Sequence, residues 1–171
     1  MSIPSADRLL FRIRLLLTLF IVGLVLSGLT AFPLAGELRG LRWLLGIDPH
    51  ATPDSYTGLA YWIATVAAAL HETYANYPFI AYGTDWLAFA HLVIAVAFLG
   101  AVRDPVRNIW VVTFGLIACA GVVPLALIAG AVREIPFYWR LIDCSFGLFG
   151  ALPLWLARRE IVRLERLETR S

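Results

Sequence analysis

The chain has no lysine: its fourteen basic residues are all arginine and face twelve carboxylates, for a net charge of +2. So small a balance, divided along the sequence, excludes the concentrated basic footprint of a nucleic-acid-binding protein. Charged residues make up 15% of the chain, against about 25% in an ordinary soluble domain. Histidine is scarce, with three, and cysteine scarcer, with two. Cys119 and Cys144 stand in apolar segments outside any metal-type spacing, so both are read as free, buried thiols and no metal site is expected. There is no glycine-rich phosphate loop, no G-x-S-x-G and no H-E-x-x-H. His71-Glu72 opens like that last motif, but no second histidine follows at the required turn. A repeated arginine ladder is missing, which excludes a voltage sensor, and no internal repeat suggests a transporter.

What is present is apolar sequence: 60% of residues are hydrophobic and the mean hydropathy is +0.78. A chain of 171 residues cannot hide that much apolar surface in its own core, so a bilayer is the expected solvent. The fold class read from this is all-α, an integral membrane bundle of four transmembrane helices with an extracytoplasmic amphipathic helix. The spans are placed at 15–36, 85–102, 108–132 and 137–157. The first follows Arg8, Arg12 and Arg14 and lacks an A-x-A-like cleavage site, so it reads as an uncleaved signal anchor. Thr84 is the expected N-cap of the second, with Asp85 at the positive end of the helix dipole. Pro124 interrupts the third.

The segment 53–77 reads as the amphipathic helix, started by Thr52-Pro53 and stopped by Pro78. One stripe carries Leu59, Trp62, Ile63, Val66, Leu70, Tyr74 and Tyr77, and the other face Ala60, Ala64, Ala68, His71 and Glu72. Its uncharged run is short of the roughly 18 residues of a span. The tail, 158–170, continues the last helix as a charged segment skimming the membrane, its apolar stripe being Ile161, Leu164 and Leu167.

With both termini inside, ten arginines fall on the cytoplasmic side and four outside. That arrangement gathers the ionisable groups of the spans in the outer half. Asp85 and His91 lie in the second span, and Arg140 and Asp143 in the fourth. Three accounts fit them. In the first, Asp143 pairs with Arg140, Asp85 caps its helix and meets Arg133 or Arg140, and His91 bonds a carbonyl or hydroxyl across the bundle; the protein is then a structural or partner-binding subunit. In the second, Asp85, His91, Arg140 and Asp143, with Tyr82, Trp86 and Trp139, form an outer-leaflet pocket for a lipid, quinone or sterol-like molecule. His91 beside a carboxylate would also suit acid–base chemistry there. In the third, His71 and His91 ligate haem b; otherwise no cofactor is expected. The expected partners are membrane lipids and a membrane-protein partner or second copy.

The stretches YPFIAYGTDWLAFAH, DPVRNIWVV and FYWRLIDCSFGLFG, across residues 77–154, resemble a family of small bacterial multi-pass membrane proteins with no known activity. The resemblance implies a bacterial inner-membrane protein and brings no reaction with it. In architecture the chain is also similar to the EXPERA-type four-helix membrane proteins, which include sterol isomerases and a sterol-binding receptor. That similarity implies acidic residues in an intramembrane pocket, for which Asp85 and Asp143 are the candidates.

Overall fold

The computed structural model describes residues 6–169, and among them it is all-helical. Six α-helices follow in order: α1 Ala6–Ala31, α2 Leu34–Leu44, α3 Gly58–Asn76, α4 Ala81–Arg103, α5 Ile109–Val132 and α6 Phe137–Glu168. Single 3₁₀ turns at Pro53–Ser55 and Pro78–Ile80 precede α3 and α4. Among the described residues α1, α4 with its leading turn, α5 and α6 are long and apolar enough to cross a membrane, and α3 is not. The protein is an integral membrane protein built from four such helices.

The expected boundaries shift where local chemistry overrides hydropathy. The first helix begins by Ala6, so Arg8, Arg12 and Arg14 lie within it. It stops at Ala31, because proline disfavours helical backbone in the residue before it and Pro33 follows Phe32. Residues 34–36, assigned above to the first span, instead open α2, a helix that hydropathy did not reveal. Thr52-Pro53 starts only a 3₁₀ turn, since Tyr56 and Thr57 are extended and Gly58 has a φ of 58°. The turn at Pro78–Ile80 already winds the chain, so α4 starts four residues before Asp85. Thr84 is therefore inside the helix, its hydroxyl donating to the Ala81 carbonyl at 2.7 Å, and does not cap it.

The chain divides into two compact units, Met1–Leu24 with Val93–Ser171, and Val25–Leu92. In the first, Leu9, Ile13 and Leu17 recur every fourth residue down one side of α1 and are buried. They share a core with Phe98 and Ala101 of α4, Val112 of α5, and Leu154, Ala157, Ile161 and Leu164 of α6. The tail thus spends its apolar stripe on the bundle and not on a membrane surface; Arg170 lies outside the described residues. Burial of each large aliphatic side chain from water contributes about 1.5–3 kcal/mol. That driving force acts only where α6 has left the lipid. Inside hydrocarbon, helices associate through close packing at small residues.

The close packing is at glycines. A Cβ on Gly147 of α6 would lie 2.6 Å from the Cys119 carbonyl oxygen of α5, and one on Gly115 would lie 2.7 Å from both Leu154 and Phe98. Cys119 and Cys144 are both free thiols, as expected. At the helix ends the backbone closes in the same way twice. Ile47 N–H donates to the Arg42 carbonyl after α2, and Ile135 N–H to that of Gly130 after α5. Both closures need one left-handed residue, which is Gly46 in the first and Glu134 in the second. In the second unit α2 packs on α3, which buries Ile63, Ala64 and Ala67. There Gly28 of α1 sits against the Ala88 carbonyl of α4.

Gly147→Val should destabilise the purified protein by about 1–3 kcal/mol in a thermal melt in detergent, by forcing α5 and α6 apart. Gly121→Ala, where a Cβ meets nothing within 4 Å, should leave the melt unchanged or raise it slightly. Glu134→Gly should stabilise by about 1 kcal/mol, because glycine adopts the positive φ of 57° without a Cβ clash. A melting temperature that does not rise would contradict strain at this corner.

Candidate functional site

The residues singled out above belong to two helices. Trp139, Arg140 and Asp143 lie in the opening turns of α6, and Tyr82, Asp85, Trp86 and His91 in the first half of α4.

On α6, Arg140 runs its aliphatic stem over Gly130 of α5. A Cβ at that glycine would come within 2.6 Å of Arg140 Cδ, so only glycine leaves the space. The guanidinium reaches the Leu127 carbonyl through Nη1 at 3.4 Å and stacks over the Phe137 ring, 5.4 Å from its centroid. It rests near the C-terminal end of α5, where the helix dipole favours a cation. Its Nε is buried and has no hydrogen-bond partner. Asp143, one turn further along, is half-buried, and its carboxylate makes no hydrogen bond or ion pair. Trp139 is half-buried, and its backbone N–H donates to the Pro136 carbonyl in the first turn of α6.

The ion-pair account therefore fails in its main expectation. Among the described residues the one salt bridge joins Arg163 and Glu160, and neither Asp143 nor Asp85 is in one. The reason is geometric. Arg140 leans across to the α5 carbonyl, and its charge goes to the end of that helix instead of back along α6.

On α4, His91 places Nδ1 2.8 Å from the Leu87 carbonyl of its own helix, not from a group across the bundle. A carbonyl only accepts, so Nδ1 carries a proton in this contact. Asp85 is half-buried without a partner. Tyr82, Trp86 and Phe89 form an edge-to-face ladder with centroid spacings of 5.9 and 6.0 Å, and all three are exposed. Tyr82 and Trp86 thus belong to an outward aromatic surface. His71 is exposed near the end of α3, and His50 donates its backbone N–H to Asp48 Oδ1 in a loop. No cluster of three or more metal-ligating side chains occurs among the described residues.

Sequence reasoning missed the other end of α6. Arg158 Nε donates to the Thr113 hydroxyl of α5 at 3.2 Å, and the Arg159 guanidinium lies 5.8 Å from the Trp155 ring centroid. A groove of about 270 Å³ runs between α1 and α6, lined by Arg12, Leu15, Leu16, Leu156 and Glu160. In it Glu160 Oε2 is buried without a partner. The signal was available in the spacing of Trp155 and Arg159, four apart and so on one face.

Comparison with protein-family models, curated proteins and solved structures gives no match.

An unpaired Asp143 has a measurable consequence. Asp143→Asn should leave thermal stability in detergent unchanged or raise it, because no partner is lost and a partly desolvated charge is removed. Breaking a buried ion pair would instead cost about 3–5 kcal/mol. The double variant with Arg140→Gln should show additive effects; a coupling above about 0.5 kcal/mol would mean that the two side chains are paired after all.

Proposed function

We propose that this integral membrane protein holds an amphiphilic small molecule, a lipid, quinone or sterol-like compound, by its polar head at the Arg140–Asp143 end of α6. One observation carries the reading: an arginine and an aspartate stand a turn apart in a spanning helix, and neither neutralises the other. An ionisable group in a membrane costs about 2.5–3.5 kcal/mol on insertion scales and ordinarily marks a site whose partner comes from elsewhere. Asp143 offers acceptor oxygens and Arg140 donors, so a head group with a hydroxyl, carbonyl or amine would meet both.

The orientation proposed with it puts both termini in the cytoplasm of a bacterium and the Arg140 end at the outer leaflet. In support, Arg14 donates to the Val102 carbonyl and Arg158 to Thr113, so arginines of α1 and α6 gather where α4 ends and α5 begins, beside Arg103 and Arg107. An arginine-rich end favours the cytoplasmic leaflet and its anionic lipid. No reaction is assigned to the site.

The test is organic extraction and mass spectrometry of detergent-purified protein, with a visible spectrum of the same sample. Wild type should retain a defined amphiphile, and Asp143→Asn or Arg140→Gln should retain at least about tenfold less, the loss of one charge-assisted hydrogen bond. Identical extracts from wild type and both variants would end the proposal in favour of a structural or partner-binding subunit. A Soret band abolished by His91→Ala would end it in favour of haem.

A further inference from the structure

Beyond its apolar span, α6 presents a second chemistry on its exposed side. Leu148, Leu152, Trp155, Arg159, Arg163 and Arg166 follow one another at spacings of three and four and are all exposed. They therefore form one stripe, apolar in its first half and cationic in its second. The opposite side of the same turns is the core face of Leu154, Ala157, Ile161 and Leu164. Glu165 lies off the stripe by its helical position, and the one carboxylate seen paired with a stripe arginine is that of Glu160, which meets Arg163 at 2.9 Å. A shallow concavity of about 380 Å³ lies there, lined by Trp155, Arg158, Arg159, Val162, Arg163 and Arg166.

We infer that this stripe is a binding site for one anionic phospholipid, its acyl chains along Leu148 and Leu152 and its phosphate between Arg159 and Arg163. Three features select a lipid over an acidic protein segment. The apolar half of the stripe runs without a break into the cationic half, which matches an amphiphile lying along the helix. Trp155 stands at the junction, the place where an indole ring prefers the membrane–water interface, and Arg159 is held over its face. Helical side chains also tilt toward the N-terminus of their helix, which for α6 is the membrane side, so Arg163 and Arg166 lean back toward the head-group layer. Arg159 and Arg163 lie about 6 and 12 Å past Trp155 along the axis, within the depth that a long side chain covers by snorkelling. The guanidinium of Arg163 is itself exposed and is held by a single contact, Nη1 to Glu160 Oε1, which leaves its remaining N–H donors for a phosphate.

The experiment is native mass spectrometry of the full chain in detergent, titrated separately with phosphatidylglycerol and with phosphatidylcholine of the same acyl chains. Phosphatidylglycerol should bind more tightly, and Arg159→Gln/Arg163→Gln should weaken it by about tenfold or more while leaving phosphatidylcholine unchanged. Arg103→Gln/Arg107→Gln, which removes equal charge elsewhere, should leave phosphatidylglycerol binding within about twofold, since diffuse surface charge is screened by salt. Circular dichroism and the thermal melt report whether each variant is folded. Equal binding of the two lipids overturns the inference, as does equal loss in the two double variants. Inorganic phosphate that competes as well as glycerol phosphate, with no gain from acyl chains, reassigns the site to a soluble anion. Because these variants leave Arg140 and Asp143 intact, failure here and failure of the amphiphile reading are separate results.

Discussion

The approach of α5 to α6 is the constraint on which the rest depends. Two helices in hydrocarbon gain nothing from excluding water between them, so they must gain from contact, and contact requires backbones to come close. Gly147 against the Cys119 carbonyl and Gly130 beneath the Arg140 stem supply that closeness at two heights. Arg140 reaches the end of α5, and Arg158 reaches Thr113, because the helices are held at this distance. A wider spacing would leave both guanidinium groups without those acceptors.

The stabilising physics changes along the same pair. Within the membrane the balance is van der Waals contact and the satisfaction of every backbone group inside its own helix. In the charged last turns of α6, Ile161 and Leu164 are buried with Leu9 and Ile13 in one apolar core. The polar side chains follow the same division. Toward the end of α6 arginines and glutamates intermix, with Glu160 holding Arg163 through one carboxylate oxygen; near its start the Asp143 side chain and the Arg140 Nε have no protein partner.

Much of the fold was legible in the sequence, and the reasons are physical. Hydropathy over some twenty residues located α4, α5 and the first part of α6, because a span must be that long and that apolar whatever it packs against. It misjudged the end of α1 and overlooked α2, since Pro33 acts through local sterics to which a hydropathy window is blind. It took Thr84 for a cap because the 3₁₀ turn at Pro78 has no signature in polarity. The site residues were found by their cost in lipid, a property of each residue alone. Their partners were not, because whether Arg140 turns to Asp143 or to Leu127 is decided by α5, thirteen residues back in the chain.

The continuity of α6 carries a mechanical meaning. Its 32 residues extend for roughly 48 Å, well beyond a hydrocarbon layer of about 30 Å, with Pro153 the one internal point lacking its own amide donor. A rod of this kind resists compression along its axis. Whatever displaces the Asp143 end by an ångström therefore delivers most of that travel to Arg163, unless the proline joint bends and absorbs it.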